Sequence, residues 1–268
     1  MSEDQGAGVV RTELSGGVFT IILADEANRN ALGGQLTGEL IAALDRADSD
    51  PEVRVVVLTN IGKVFCAGAN LAERSAPGAS GAFADPRQLF GRVRRSPKPY
   101  VGRIAGHCVA GGMGLAAALD ISIASDDALF GFTEVRVGVA PAMISVVCLP
   151  KLRRADAASA FLRGNRFPAA EAARIGLINS AVPAERLDAE VDAVVADLLL
   201  GGPQAIAHAK QLLVEVPGMD VDDAFAFTAE MSARLFQSDE AREGMSAYLA
   251  KRPPNWAPNQ APASAPPP

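Results

Sequence analysis

The chain has 268 residues, 49% of them hydrophobic and 21% charged, with 25 basic against 31 acidic side chains and a net charge of −6. That length fits one large domain or two small ones and buries roughly 70–75% of the unfolded surface, so no disulfide or metal staple is required. The acidic balance argues against general nucleic-acid binding, and no run approaches the roughly 18 apolar residues of a membrane span. Met1 to Gly8 lacks the apolar stretch of a signal peptide, so a cytoplasmic protein is expected. The three cysteines, Cys66, Cys108 and Cys148, form no CxxC pair and have no metal-ligand spacing.

In chain order, Gly16-Gly17 marks a turn, and the β-rich run Val18 to Leu23 predicts a strand after it. Leu36, Leu40, Ile41 and Leu44 recur at helical spacing, and Asp50-Pro51 ends that helix because a residue before proline avoids the α region. Val53 to Leu58 is a nearly unbroken β-branched run, as suits a strand buried on both faces. Pro99 to Ala105, Ile121 to Ala124 and Ile178 to Val182 read as further strands, with a short Ala/Leu helix entered through Gly111-Gly112-Met113-Gly114. This alternation indicates an α/β body. From Ala184 the pattern turns helical. Leu187, Val191, Val194, Val195 and Leu198 share one face, and helices are expected at 203–215, 221–237 and 239–250. The chain therefore divides into a core at 9–200, a helical region at 201–251 and a tail at 252–268. That tail holds seven prolines in 17 residues and should be loosely draped, with Trp256 able to dock on a neighbour. No internal sequence repeat is visible.

Two glycine-containing turns stand out, Phe65-Cys66-Ala67-Gly68-Ala69-Asn70-Leu71 and Ala110-Gly111-Gly112-Met113-Gly114. Such loops can aim two backbone N–H groups at one oxygen and so hold an enolate or oxyanion; ordinary turn chemistry is the competing reading. Gly112-Met113-Gly114-Leu115-Ala116-Ala117 matches a dinucleotide fingerprint in letters. It leaves under two helical turns before the next strand, so the nucleotide reading is rejected. His107 and His208 are too isolated for a metal site, His107 reading best as a packed loop histidine. Cys66, with no base partner, reads as a buried thiol rather than a nucleophile. Arg92, Arg94, Arg95 and Lys98 read as a solvated helix face, or as a greeting for a phosphorylated ligand. Glu134 lies between Phe132 and Val135. It is either a desolvated acid/base group or a helix-start glutamate with Thr133 as a nearby cap.

Several ordered motifs together resemble the crotonase superfamily of enoyl-CoA hydratases and isomerases, over about Val9 to Trp256. They are Asn28-Arg29-Asn30-Ala31-Leu32, Val64 to Leu71, Ala105-Gly106-His107 running into Gly111-Gly112, Leu119 to Ala124, Phe130-Gly131 with Glu134, Gly138 to Pro141, Ala169 to Leu177 and Glu240 to Pro254. The resemblance implies an α/β spiral of repeated ββα units with a C-terminal helical trimerisation region, assembled as a homotrimer or hexamer. It implies an acyl-CoA thioester as substrate, with coenzyme A entering as part of it and no metal or redox cofactor. The N–H groups of Ala69 and Gly111 would form the oxyanion hole and Glu134 would be the acid/base. Arg29, Ala31, Ala67, Leu71 and Gly112 would lie along the coenzyme path.

One departure matters. Hydratases of the best-known type carry a second glutamate where this chain has Gly114. The neighbourhood of Gly114 and of Gly138 to Ser145 is nonetheless similar to single-glutamate bacterial hydratases of the methylglutaconyl-CoA hydratase type. The expectation is hydration of a 2-enoyl-CoA, of a branched or carboxylated kind, with Arg92 or Arg95 able to meet a carboxylate. A 3-enoyl to 2-enoyl-CoA isomerase using Glu134, or a non-catalytic acyl-CoA-binding member, are the alternatives. Acyl-chain specificity is expected in the stretch from Arg74 to Phe90.

Overall fold

The computed structural model describes residues 8–76, 85 and 87–258. Ten strands of the described residues build two sheets: β1 (Val10–Ser15), β2 (Val18–Leu23), β3 (Val55–Asn60), β4 (Val64–Cys66), β5 (Tyr100–Ile104), β6 (His107–Val109), β7 (Ile121–Ser125), β8 (Leu129–Gly131), β9 (Phe167–Pro168) and β10 (Ser180–Val182). The larger sheet has the order β1-β2-β3-β5-β7-β10 and the smaller β4-β6-β8-β9. Among the described residues only the β1/β2 and β8/β9 pairs are antiparallel. Consecutive strands β3 and β4, β5 and β6, β7 and β8 therefore each give one member to either sheet. This is the expected spiral, and its repeat is one of geometry, without an echo in the residues.

Eleven α-helices of the described residues complete it: α1 (Gly34–Ser49), α2 (Leu71–Ser75), α3 (Arg92–Arg95), α4 (Gly111–Ala118), α5 (Ala142–Cys148), α6 (Arg154–Arg163), α7 (Ala169–Arg174), α8 (Leu187–Leu200), α9 (Pro203–Glu215), α10 (Val221–Phe236) and α11 (Asp239–Leu249). All six residues of β3 are buried, as its β-branched run predicts. Val56 and Leu58 enter the main core with Leu36, Leu40 and Leu44 of α1. Val55 and Val57 face the other way, onto Leu187, Val191 and Val195 of α8. A sheet covered on both faces is what requires apolar residues at every position of its central strand. None of the described helices is long and apolar enough to cross a membrane.

The C-terminal helices are tied back by buried polar contacts. Lys210 of α9 is 5% exposed and donates to the carbonyls of Val93 and Lys98 and, at 2.7 Å, to Asp120. A buried ammonium is tolerable only when its protons are satisfied in this way. Arg54 donates to the carbonyls of Gly201 and Trp256, and the Trp256 indole donates to Leu200. The loosely draped tail is thus corrected for residues 252–258. They are held through Trp256, which docks on its own chain, and through the Arg252–Glu243 ion pair. The rest of the tail lies outside the described residues, as does most of the stretch from Arg74 to Phe90. The strands β1, β4, β6, β8 and β9 go beyond the sequence reading. Most of them have two or three residues, too few to show an alternation.

Candidate active site

The short strands β4, β6 and β8 lie side by side and run parallel, so their C-terminal ends open onto one edge. Ala69, Gly111 and Glu134 follow those three ends within a few residues each. Carboxyl ends of adjacent parallel strands are a recurrent place for ligands because the loops there converge. Three turns of one spiral thus deliver two backbone amides and one carboxylate to the same edge.

The first loop turns at Gly68, whose φ of +85° suits glycine. A methyl group there would stand 2.6 Å from the Cβ of Ala110 and 2.8 Å from the nitrogen of Gly111, so the two loops touch. Ala110 adopts φ +49°, ψ −124°, an uncommon conformation for a residue with a Cβ, immediately before α4 begins. A methyl group on Gly111 would lie 3.6 Å from the Ala69 nitrogen. Among the described residues, neither the Ala69 nor the Gly111 N–H donates to a protein acceptor. Two neighbouring free donors, one at the positive end of a helix, suit an oxygen that gains negative charge.

A third loop braces these two. Arg29 and Asn30 have positive φ. The fully buried Asn30 side chain accepts from the Asp25 N–H and donates to the Val64 carbonyl at 2.7 Å. Ala67 donates to the Arg29 carbonyl, Leu32 to that of Gly68, and Asn70 to that of Leu32. Arg29, Ala31 and Ala67 are thereby gathered beside Ala69. Ala31 is buried, whereas Arg29 and Leu71 are exposed beside that edge. Gly112 is buried under the first loop, where a methyl group would strike the Cys66 carbonyl at 2.5 Å.

Glu134 sits in a 3-10 turn, Thr133–Val137. Glu134 does lie in the first turn of that helix, but Thr133 supplies no cap. One carboxylate oxygen, Oε2, is buried and has no hydrogen-bond partner among the described residues. Burial lifts the Glu134 carboxyl above the usual carboxylate range. Its charge is felt by Cys148 of α5, whose thiol burial pushes up to about 12. Cys148 in turn reaches the Met113 carbonyl of α4 at 3.6 Å. Helices α4 and α5 thus pack as a pair.

Gly114 lies on that same pair. A methyl group there would stand 2.4 Å from Ile144 Cγ2 and 3.1 Å from Phe90 Cε1. The space a second carboxylate would need is filled by Ile144 and Phe90, both buried. The sequence reading includes both residues in its stretches Gly138 to Ser145 and Arg74 to Phe90, but not their contact with Gly114, which nothing local announces.

Other candidates resolve into structural roles. His107 Nδ1 accepts the Leu129 N–H at 3.1 Å and joins β6 to β8. No group of three or more His, Cys, Asp or Glu among the described residues could hold a metal. Burial pushes the Cys66 thiol to about 12, far from a nucleophile. Arg92 is paired with Asp45 and Asp48 of α1, and Lys98 donates to the carbonyls of Ala47 and Asp50. The expected solvated face is corrected for these two, and Arg92 is committed elsewhere than to a substrate carboxylate. Arg95 lines a mixed-charge cavity of about 590 Å³ with Asp45, Asp48, Arg87 and Arg92, apart from the amide pair and Glu134.

Residues 13–259 match the family model described as enoyl-CoA hydratase/isomerase. A putative enoyl-CoA hydratase of Thermus thermophilus is 35% identical over 247 residues, covering 90% of this chain and 98% of the relative. Among solved structures, an enoyl-CoA hydratase of Mycobacterium smegmatis superposes with a TM-score of 0.87 at 30% identity, covering 92% of this chain and 98% of that one. A putative enoyl-CoA hydratase of Mycobacterium avium paratuberculosis is 43% identical with a TM-score of 0.66, covering 90% of this chain and 94% of that one. The fold is that of a crotonase-type protein. The chain belongs to the enoyl-CoA hydratase/isomerase family.

Proposed function

We propose that the chain is an enoyl-CoA hydratase that adds water to a 2-enoyl-CoA with a single carboxylate. The observation that carries this reading is the buried, partnerless Oε2 of Glu134 on the same edge as two free amides. Glu134 takes a proton from water as the water oxygen bonds to C3. The π electrons move onto the thioester oxygen, where the Ala69 and Gly111 N–H groups hold the enolate. Glu134 then returns the proton to C2. Its lifted pKa makes it a stronger base than an exposed glutamate. Arg29, Ala31, Ala67, Leu71 and Gly112 lie beside the amide pair and would flank the coenzyme portion. The reaction needs no cofactor beyond the coenzyme A carried by the substrate.

Assembly as a homotrimer, or two trimers, is part of the proposal. Val137, Val139, Met143 and Val146 beside Glu134 are exposed, as are Phe225, Phe236 and Tyr248 on α10 and α11. Apolar side chains in such numbers favour burial against further copies.

The filled space at Gly114 also favours one second reading, a 3-enoyl to 2-enoyl-CoA isomerase, because a proton shuttle needs no bound water. Product analysis separates the two. Purified protein is given straight-chain, branched and glutaconyl-type 2-enoyl-CoA thioesters, and separately a 3-enoyl-CoA. Formation of 3-hydroxyacyl-CoA from a 2-enoyl-CoA is expected. A double-bond shift without any hydration would overturn the hydratase.

A further inference from the structure

Resting on the amide pair of Ala69 and Gly111 as the oxyanion hole, we propose that Cys66 is the positioning residue that sets the spacing between those two amides. The Cys66 side chain touches both loops. Its sulfur accepts the Gly68 N–H at 3.5 Å, one residue before Ala69. A methyl group on Gly112, one residue after Gly111, would stand 2.9 Å from the Cys66 Cβ. A single buried side chain thus spans the neighbours of both donors.

The strand supports this placement. The register of β4 on β6 shifts between Val64 and Cys66, which pair with His107 and Cys108. Two steps along β4 thus match one along β6, and Cys66 is fully buried. The Cys66 sulfur lies against its own loop, at the Gly68 N–H. A side chain accepting the N–H two residues on closes a local turn, as Asn, Asp and Ser side chains do elsewhere. That turn occupies the Gly68 N–H. With Gly68 at φ +85°, the next amide, Ala69, is left pointing free. Cys66 makes no nucleophilic contribution, since its thiol stays protonated in this burial.

The test compares Cys66→Ala, which removes the acceptor, with Cys66→Ser, which keeps one. Both are assayed for hydration of but-2-enoyl-CoA, with thermal melts to confirm folding. If Cys66 acts by holding the loop, Cys66→Ala loses roughly tenfold in kcat with KM within about twofold, because the misplaced donor serves the transition state. Cys66→Ser then keeps more kcat than Cys66→Ala, although a buried hydroxyl makes it the less stable protein. A role confined to packing gives the opposite order, with kcat following stability and alanine the better variant; that order overturns the proposal, as does unchanged kcat in both. Gly68→Ala, run beside them, tests the footing. If it turns over normally, the amide-pair reading fails and the Cys66 role with it. If it is impaired while Cys66→Ala is not, only the Cys66 role fails.

Discussion

Gly111 and Gly114 stand three residues apart on α4 and are used in opposite ways. At Gly111 the helix end is open, its N–H without an acceptor among the described residues and close to that of Ala69. At Gly114 the helix is closed over by Ile144 and Phe90, so tightly that a methyl group would clash. The open end serves charge that develops during reaction, and the closed middle excludes a second carboxylate. The contrast explains how a one-glutamate site arises without loss of the fold. The helix keeps its packing and its amide, and the acid/base work is left to Glu134 on the next turn of the spiral.

Forcing a side chain into the closed position gives the largest effect. Gly114→Glu would bury a charge against Ile144 and Phe90, and a loss of more than about 4 kcal/mol in chemical denaturation is expected. A Gly114→Glu protein as stable as the parent would mean the space is not filled as described. Gly68→Ala attacks the open end, since its Cβ would push on Ala110 and Gly111. Loss of about 10²–10³ in kcat is expected, the usual effect of removing one oxyanion donor.

Gly114→Ala is milder, an overpacking cost of about 1–3 kcal/mol. Ile144→Ala should relieve part of it, so the double variant is more stable than the sum of the singles predicts. Strict additivity would show that Ile144 is not what limits Gly114. The smallest effect is one of sign. Glu134 has its pKa raised in the fold, so the native state binds its proton more tightly than the unfolded chain does. Its contribution is favourable below the unfolded value and is lost as pH rises through the folded one. Glu134→Gln should therefore melt no lower than the parent at pH 7, with the difference shrinking in acid.

The open end of α4 was legible in sequence because it is made of backbone. Amides need glycines and tight turns at particular places, and Gly68 and Gly111 announce them. The long strand β3 and the face of α8 were legible for a similar reason, since Val55 to Leu58 and Leu187, Val191 and Val195 carry their own periodicity. The closed middle was not, because the contact of Gly114 with Ile144 and Phe90 joins residues far apart in the chain and leaves no local pattern. Arg92 misled in the same way, since its partners Asp45 and Asp48 lie on a distant helix. The proline-rich sequence around Trp256 suggests that this tryptophan can dock but not where, since its hydrogen bonds to Arg54 and Leu200 are long-range.

The most direct test of a one-carboxylate hydratase is Glu134→Gln, with hydration of a 2-enoyl-CoA measured beside binding of a saturated acyl-CoA. Turnover should fall by about 10²–10⁴ while the Kd of the saturated thioester stays within a few-fold, as expected when only proton transfer is removed. Hydration persisting near the parent rate would contradict the account, because Glu134 is the group assigned to move the proton.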